Sequence, residues 1–388
     1  MSQPRPSTRP GPRRGAWAGQ IGQILKGESS LAGSLVTAAL FGAFGGRWLT
    51  DLSNPAWLAF MLIWLFCVIL GSAFAIVRHA EELAHRVGEP LGTLILTLAV
   101  TGIEVMMITA MMYAGPANAS LARDAMFAVI MIVLNGMVGL TLLLGGLKFH
   151  EQSYNLQGAN AFLAVILPLS VLGLILPSFT LSSPGPTFSP LQAVFLIVMS
   201  LGLYGVFLAI QNLRHREYFQ EPEGKAGDSE AAEHHRTAHG TGYHAAFVLF
   251  NLLPLVMLSK KLAIPLNYGI EQLHAPVALG GFIVALLILS PESLGAIRAA
   301  LRNQLQRSVN ILLGSVLATI SLTIPCVLVI GFITERQIVL GLDHVDMLLL
   351  ILTLAVSGLT FTSTRTNVLL GAVHLLLFLA YLMLLFEK

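Results

Sequence analysis

Residues 91–115 read LGTLILTLAVTGIEVMMITAMMYAG. The stretch is apolar for long enough to cross a hydrocarbon core about 30 Å thick, which takes about 20 residues of helix. Yet it carries a carboxylate, Glu104, near its middle and no Lys or Arg to pair with it. Thr93, Thr97, Thr101 and Glu104 follow one another at steps of four, four and three. A helix puts these four on one polar stripe of an otherwise apolar cylinder, and that stripe is predicted to face the interior of a helix bundle. An ionisable group at the bilayer centre costs about 2.5 to 3.5 kcal/mol and persists where it has a partner, a cavity or a task. A mobile cation is a natural partner here.

A second stretch, VALGGFIVALLILSPESLGAI at 277–297, repeats the arrangement around Glu292. Gly92 precedes Glu104 by twelve residues and Gly280 precedes Glu292 by twelve; Ile95 matches Ile283 and Leu98 matches Leu286. The spans that follow share a smaller pattern, Asn135 to Gly139 (NGMVG) against Asn310 to Gly314 (NILLG). Ser290 adjoins the second carboxylate, and Pro291 removes a backbone donor and crowds the preceding turn, so the helix is predicted to open there. Gly102 is given the same loosening role beside Glu104. Asn135 and Asn310 are read equally as ion ligands and as polar glue between closely packed helices.

Outward from these two stretches, the chain has 388 residues, of which 55% are hydrophobic and 11% charged, with a mean hydropathy of +0.77. Soluble domains carry about 25% charged residues, so a water-soluble fold is excluded. The fold class is all-α and polytopic. Eleven transmembrane helices are expected, near 31–48, 55–77, 91–115, 125–147, 159–177, 190–211, 244–259, 277–297, 308–333, 346–362 and 366–386. The domain reading is a cytoplasmic tail at 1–30, a first helix and outer loop at 31–54, repeat 1 at 55–211, a cytoplasmic loop at 212–243, and repeat 2 at 244–388. An odd number of spans per unit inserts the two copies in opposite orientation. The architecture is therefore one extra N-terminal helix plus two inverted five-helix repeats, as in many secondary transporters.

With the N-terminus inside, sixteen Lys and Arg fall on inner segments and six on outer ones, which supports a cytoplasmic N-terminus. The net charge of +2, without basic patches interleaved with aromatics, excludes nucleic acid as a partner. Cys67 and Cys326 read as small apolar fillers. The tract RHAEELAHR, with His79, Glu81, Glu82 and His85, reads mainly as a solvated helix end, with a proton-relay or gating role as the minority view. His234, His235, His239 and His244 read mainly as solvated loop, with metal binding or pH sensing as the minority view. His374 in the last span is expected to be hydrogen-bonded structure.

Four segments carry a family resemblance: HAEELAHRVGEPLGTLILTLAVTGIEVMMI (79–108), LNGMVGLTLLLGGLKFHEQSYNLQGANAFLAV (134–165), QRSVNILLGSVLATISLTIP (306–325) and TRTNVLLGAVHLLLFLAYL (364–382). Together they resemble the bacterial calcium/proton antiporters of the cation/calcium exchanger superfamily, over most of 60–386. The resemblance implies an eleven-span inner-membrane protein whose transport carboxylates correspond to Glu104 and Glu292. One departure is that much of the superfamily has Asn three residues before the glutamate, where this chain has Thr101 and Leu289.

Calcium takes six to eight oxygen ligands. Glu104, Glu292, Thr97, Thr101, Ser290 and the amide oxygens of Asn135 and Asn310 are the candidate ion and proton ligands, the two glutamates directly on the metal. No resident cofactor is expected; Ca²⁺, or Na⁺ or K⁺, is cargo exchanged for H⁺. Membrane lipid is the surrounding partner, and a homo-oligomer is compatible with this reading. A channel lacks a filter such as TVGYG, and an intramembrane enzyme lacks a GxSxG or metal triad, so neither is the leading reading.

Overall fold

The computed structural model describes residues 28–88, 91–114, 119–221 and 240–387. Their backbone is almost wholly helical, because a chain this apolar satisfies its N–H and C=O groups within each span. We number the spans α1 (Ser29–Ala43), α2 (Pro55–Val87), α3 (Leu91–Met112), α4 (Leu121–Phe149), α5 (Leu156–Ser178), α6 (Pro190–Arg214), α7 (Thr241–Gln272), α8 (Ala278–Leu301), α9 (Leu305–Ile333), α10 (His344–Thr360) and α11 (Val368–Phe386). Nine of these are long and apolar enough to cross a membrane; α1 and α10 are shorter apolar helices. A single turn, Gly45–Trp48, extends the first.

The helix starts follow local chemistry. Asn54 caps α2 by accepting from Ala56 N, with Pro55 as the first helical residue. Ser189 and Gln192 form a reciprocal capping box on α6, and Asp343 and Asn367 cap α10 and α11. Gly88, at φ +77°, ends α2 in a conformation that side chains rarely adopt.

The loops gather into two sets. At one end Lys148 donates to Leu301 O, Gln152 donates to Ala300 O, and β1 (Gln152–Ser153) pairs antiparallel with β2 (Arg365–Thr366). At the other end Val339 N donates to Ala119 O, Arg123 to Gly341 O and Leu342 N to Leu174 O. This is the partition that the Lys and Arg count assumes.

Packing between the two halves is reciprocal. α2 packs on α8 and α7 on α3; α4 packs on α8 and α9 on α3; α4 packs on α11 and α9 on α6. Two glycines allow close approaches of helix backbones between the halves. A Cβ on Gly281 would lie 2.6 Å from Ala125 N, and one on Gly371 would lie 2.5 Å from Leu143 N, so α8 and α11 rest directly on the backbone of α4.

Several expectations are corrected. Cys67 and Cys326 are exposed on the outer faces of their helices and fill no gap. His79 is 2% exposed, so the RHAEELAHR tract is not a uniformly solvated face; Glu81 and His85 remain exposed. His244 is buried in the first turn of α7. The tail at 1–27 and the loop histidines His234, His235 and His239 lie outside the described residues.

Candidate functional site

A cavity of about 1340 Å³ lies among α2, α3, α8 and α9, with α5 and α6 completing its wall. Its outer part is lined by Arg78, Glu81, Arg86 and Arg307, near the helix end that Gly88 closes; its inner part reaches Thr101, Glu104 and Thr319. Polar and apolar side chains share the wall, with the Arg side chains grouped toward the mouth and hydroxyls and carboxylates continuing inward along α3, α8 and α9.

Glu104 projects from α3 and is 3% exposed. Its Oε2 accepts a hydrogen bond from Thr319 of α9 at 2.9 Å, while its buried Oε1 has no hydrogen-bond partner among the described residues. Thr101, on the preceding turn, lines the same cavity, and its buried Oγ1 is likewise unpartnered. Thr97 lies further toward the mouth, within hydrogen-bonding reach of the Tyr204 hydroxyl. Glu292 projects from α8 into the cavity; Ser315 of α9 stands beside it, and its Oε2 is buried and unpartnered. The two carboxylates are near enough for their charges to interact. Leaving a polar group buried and unpaired costs about 1–3 kcal/mol, more when charged. Thr101, Glu104 and Glu292 thus present oxygens that a cation, a proton or water would satisfy.

Other expected residues are placed elsewhere. Ser290 is absent from the cavity wall, and its hydroxyl bonds back to Leu286 O at 2.5 Å. Asn310 lines the cavity, but its amide is engaged: it accepts from Gln306 Nε2 at 2.8 Å and donates to Phe219 O at 2.7 Å. Asn135 is fully buried away from the cavity, donating to Thr353 Oγ1 at 2.8 Å and facing His374 Nδ1 at 3.4 Å. The helix breaks expected at Gly102 and Pro291 do not occur. α3 and α8 run unbroken through both, since one missing donor leaves the neighbouring turns intact.

The backbone irregularity sits in the next helices instead. α4 opens into π-helix at Met131–Met137 and α9 at Thr319–Thr323, and shorter π segments occur in α5 at Val171–Ile175 and in α6 at Ile210–Arg214. Such π turns shift the side chains that follow them and frequently occur at functional sites. Ser315, Thr319 and Thr323 are the polar groups that the reading by sequence missed. They follow at steps of four, the same signal that picks out Thr93, Thr97 and Thr101.

A protein-family model described as sodium/calcium exchanger protein matches residues 57–213 and 245–387. The chain belongs to this exchanger family. The sodium-potassium/proton antiporter ChaA of Escherichia coli is 44% identical over 319 residues, 82% of this chain and 86% of the relative. The Ca²⁺/H⁺ antiporter ChaA of Bacillus subtilis is 22% identical over 301 residues, 74% of this chain and 82% of the relative. Among solved structures, native YfkE superposes with a TM-score of 0.70 at 16% identity, covering 92% of this chain and 99% of that one. The H⁺/Ca²⁺ exchanger CAX gives 0.60 at 15% identity, covering 91% and 89%. These likenesses confirm the polytopic all-α fold. As a member of the exchanger family, the chain is a transporter and not an enzyme.

Proposed function

We propose that this exchanger is a secondary cation/proton antiporter of the bacterial inner membrane, in which Glu104 and Glu292 bind cation and protons in competition. The observation that carries the proposal is the pair of carboxylates from α3 and α8, facing one cavity and each with a buried oxygen that has no hydrogen-bond partner among the described residues. Thr101, Thr97, Ser315 and Thr319 complete the oxygen set, and Gly102, Ser290, Asn135 and Asn310 act outside it. An empty, doubly charged site is costly to carry through a low-dielectric interior. The site therefore reorients either with cation or with protons bound, and competition becomes obligatory exchange. Two five-helix repeats of opposite orientation, 55–211 and 244–388, supply the two ways of opening; the reciprocal packing of α2 to α6 with α7 to α11 supports this. The N-terminus is assigned to the cytoplasm on the Lys and Arg partition, so the cavity opens inward.

Ca²⁺ is the leading cargo, because two carboxylates balance its charge and can return two protons. A second reading, Na⁺ or K⁺ against H⁺, is favoured by the name of the Escherichia coli relative. Inside-out vesicles with an acid interior, followed with a pH-sensitive dye, separate them. Alkalinisation by Ca²⁺ that is lost in both Glu104→Gln and Glu292→Gln supports the first reading. A response to Na⁺ or K⁺ alone supports the second, and near-normal exchange in either variant removes the competition mechanism.

A further inference from the structure

A second cluster of titratable side chains joins three helices beside the cavity mouth. Glu28, just before α1, accepts from Arg78 Nη2 at 2.7 Å and lies 3.0 Å from His79 Nε2 through the same oxygen, Oε2. Its Oε1 accepts from the Tyr243 hydroxyl at 3.2 Å. His79 Nδ1 is 2.9 Å from His244 Nδ1, and both residues are 2% exposed. Phe247 stacks on His79 with ring centroids 5.2 Å apart. The cluster thus ties α1 to α2 and α7, which also pack on each other.

Two imidazole nitrogens at this distance need one proton between them, one ring donating and the other accepting. A neutral His79 that donates from Nε2 to Glu28 offers Nδ1 as acceptor, so His244 donates. A cationic His79 donates from both nitrogens, and His244 accepts. Either state is bonded throughout. One more proton turns the contact into N–H facing N–H, with two positive rings buried beside the Arg78 guanidinium. The charged and titratable groups in direct contact are Glu28 at the start of α1, Arg78 of α2 and the Tyr243 phenol of α7; α2 also carries Glu81, Glu82, His85 and Arg86 toward its end, and α7 carries Lys260, Lys261 and Glu271 further along. α3, which packs along α7, carries Glu104 as its charged side chain, and α8, which packs on α2, carries Glu292 and Arg298.

We infer that the His79–His244 contact, anchored by Glu28, is a proton-operated latch that holds α1 on α2 and α7 at neutral pH and opens when both rings are charged. Arg78 belongs to the latch and also lines the cavity mouth. Opening separates its guanidinium from Glu28 and leaves uncompensated positive charge where cations enter, which slows their arrival. Acidifying that side therefore lowers exchange through a group other than the carboxylates deep in the cavity. The inference goes beyond the transport reading, and its structural half holds whatever ion is carried.

The test is hydrogen–deuterium exchange of Ser29–Ala43 in the full chain in lipid nanodiscs across about pH 5 to 8, corrected for intrinsic rates, beside vesicle transport at the same pH values. Loosening of α1 by roughly tenfold or more on acidification is expected. His244→Asn keeps a neutral partner near the Nδ1 position and takes no proton, so its α1 protection becomes independent of pH on the acid side, and its transport keeps only the pH dependence that proton competition at Glu104 and Glu292 imposes. Glu28→Gln removes the carboxylate that anchors Arg78, His79 and Tyr243, so its α1 is already loosened at neutral pH and changes less on acidification. A parent α1 whose protection is flat with pH overturns the latch, as does an unchanged acid transition in His244→Asn. If His244→Asn fails to insert, the parent profile and the loss of neutral-pH α1 protection in Glu28→Gln decide the matter. A chain that carries no cation at all, yet shows the α1 transition, keeps the latch and removes the transport reading.

Discussion

The π-helical turns of α4 and α9 sit within two helices of 29 residues each, and they are used in opposite ways. In α9 the turn delivers Thr319 to Glu104, with Thr323 close by and Ser315 one turn earlier beside Glu292. In α4 it delivers Asn135 to a buried knot in which Thr353 Oγ1 accepts from the amide and His374 bridges Asn135 and Thr360. The glycines that follow differ in the same sense. A Cβ on Gly139 would lie 2.9 Å from Leu375 N and 3.0 Å from Gly371 O, whereas one on Gly314 would meet only the Phe162 ring at 3.7 Å. α4 is clamped against α11 and spends its polar group on cohesion; α9 borders a cavity and offers hydroxyls to it. One local distortion can serve a site or a seam, and its neighbours decide which.

The contrast breaks most decisively at the carboxylates. Glu104→Gln and Glu292→Gln are each expected to reduce exchange to background while the protein still inserts, measured as vesicle alkalinisation against membrane content; an active variant would falsify the assignment. Next in size, Thr319→Val removes a hydroxyl donor to a charged group, worth about 1.5–3 kcal/mol. The half-saturating cation concentration should rise about ten- to hundredfold, with thermal stability little changed. Asn135→Leu should show the reverse. It leaves Thr353 and His374 short of a partner at a cost of about 1–3 kcal/mol in stability, read as a lower unfolding midpoint in detergent, with half-saturation unaltered. A large shift in half-saturation there would make α4 a partner of α9 in ion binding and dissolve the distinction. The smallest effect belongs to Ser290→Ala. Its hydroxyl bonds within its own helix, so transport and stability should stay within about 0.5 kcal/mol of the parent.

These contrasts show where reading by residues stopped. Glu104 and Glu292 were legible because a carboxylate without a basic neighbour in an apolar span is conspicuous. Thr97 and Thr101 were legible because a step of four is one helical turn. Pairing Asn135 with Asn310 relied on a five-residue likeness, and the two amides lie in unlike surroundings, one in the knot and one at the cavity mouth between Gln306 and Phe219. Ser315, Thr319 and Thr323 form a polar stripe as regular as the one on α3, but they lack a charge to draw attention. The buried His79–His244 contact joins residues 165 positions apart, and no spacing rule links them.

The all-α polytopic class, the approximate places of the apolar helices and the two intramembrane carboxylates follow from the residues alone, since apolar length and the cost of a buried charge act within a few turns of one helix. The helix ends do not follow in this way, α2 running to Val87 and α7 to Gln272 beyond the expected 77 and 259. Which polar stripes share a cavity, which amide is tied into a seam, and which helices bear π turns while α3 and α8 stay unbroken belong to the assembled fold. Those outcomes depend on how helices distant in the chain pack against one another. Packing depends on the shapes of two surfaces together, and a single helix carries only one of them.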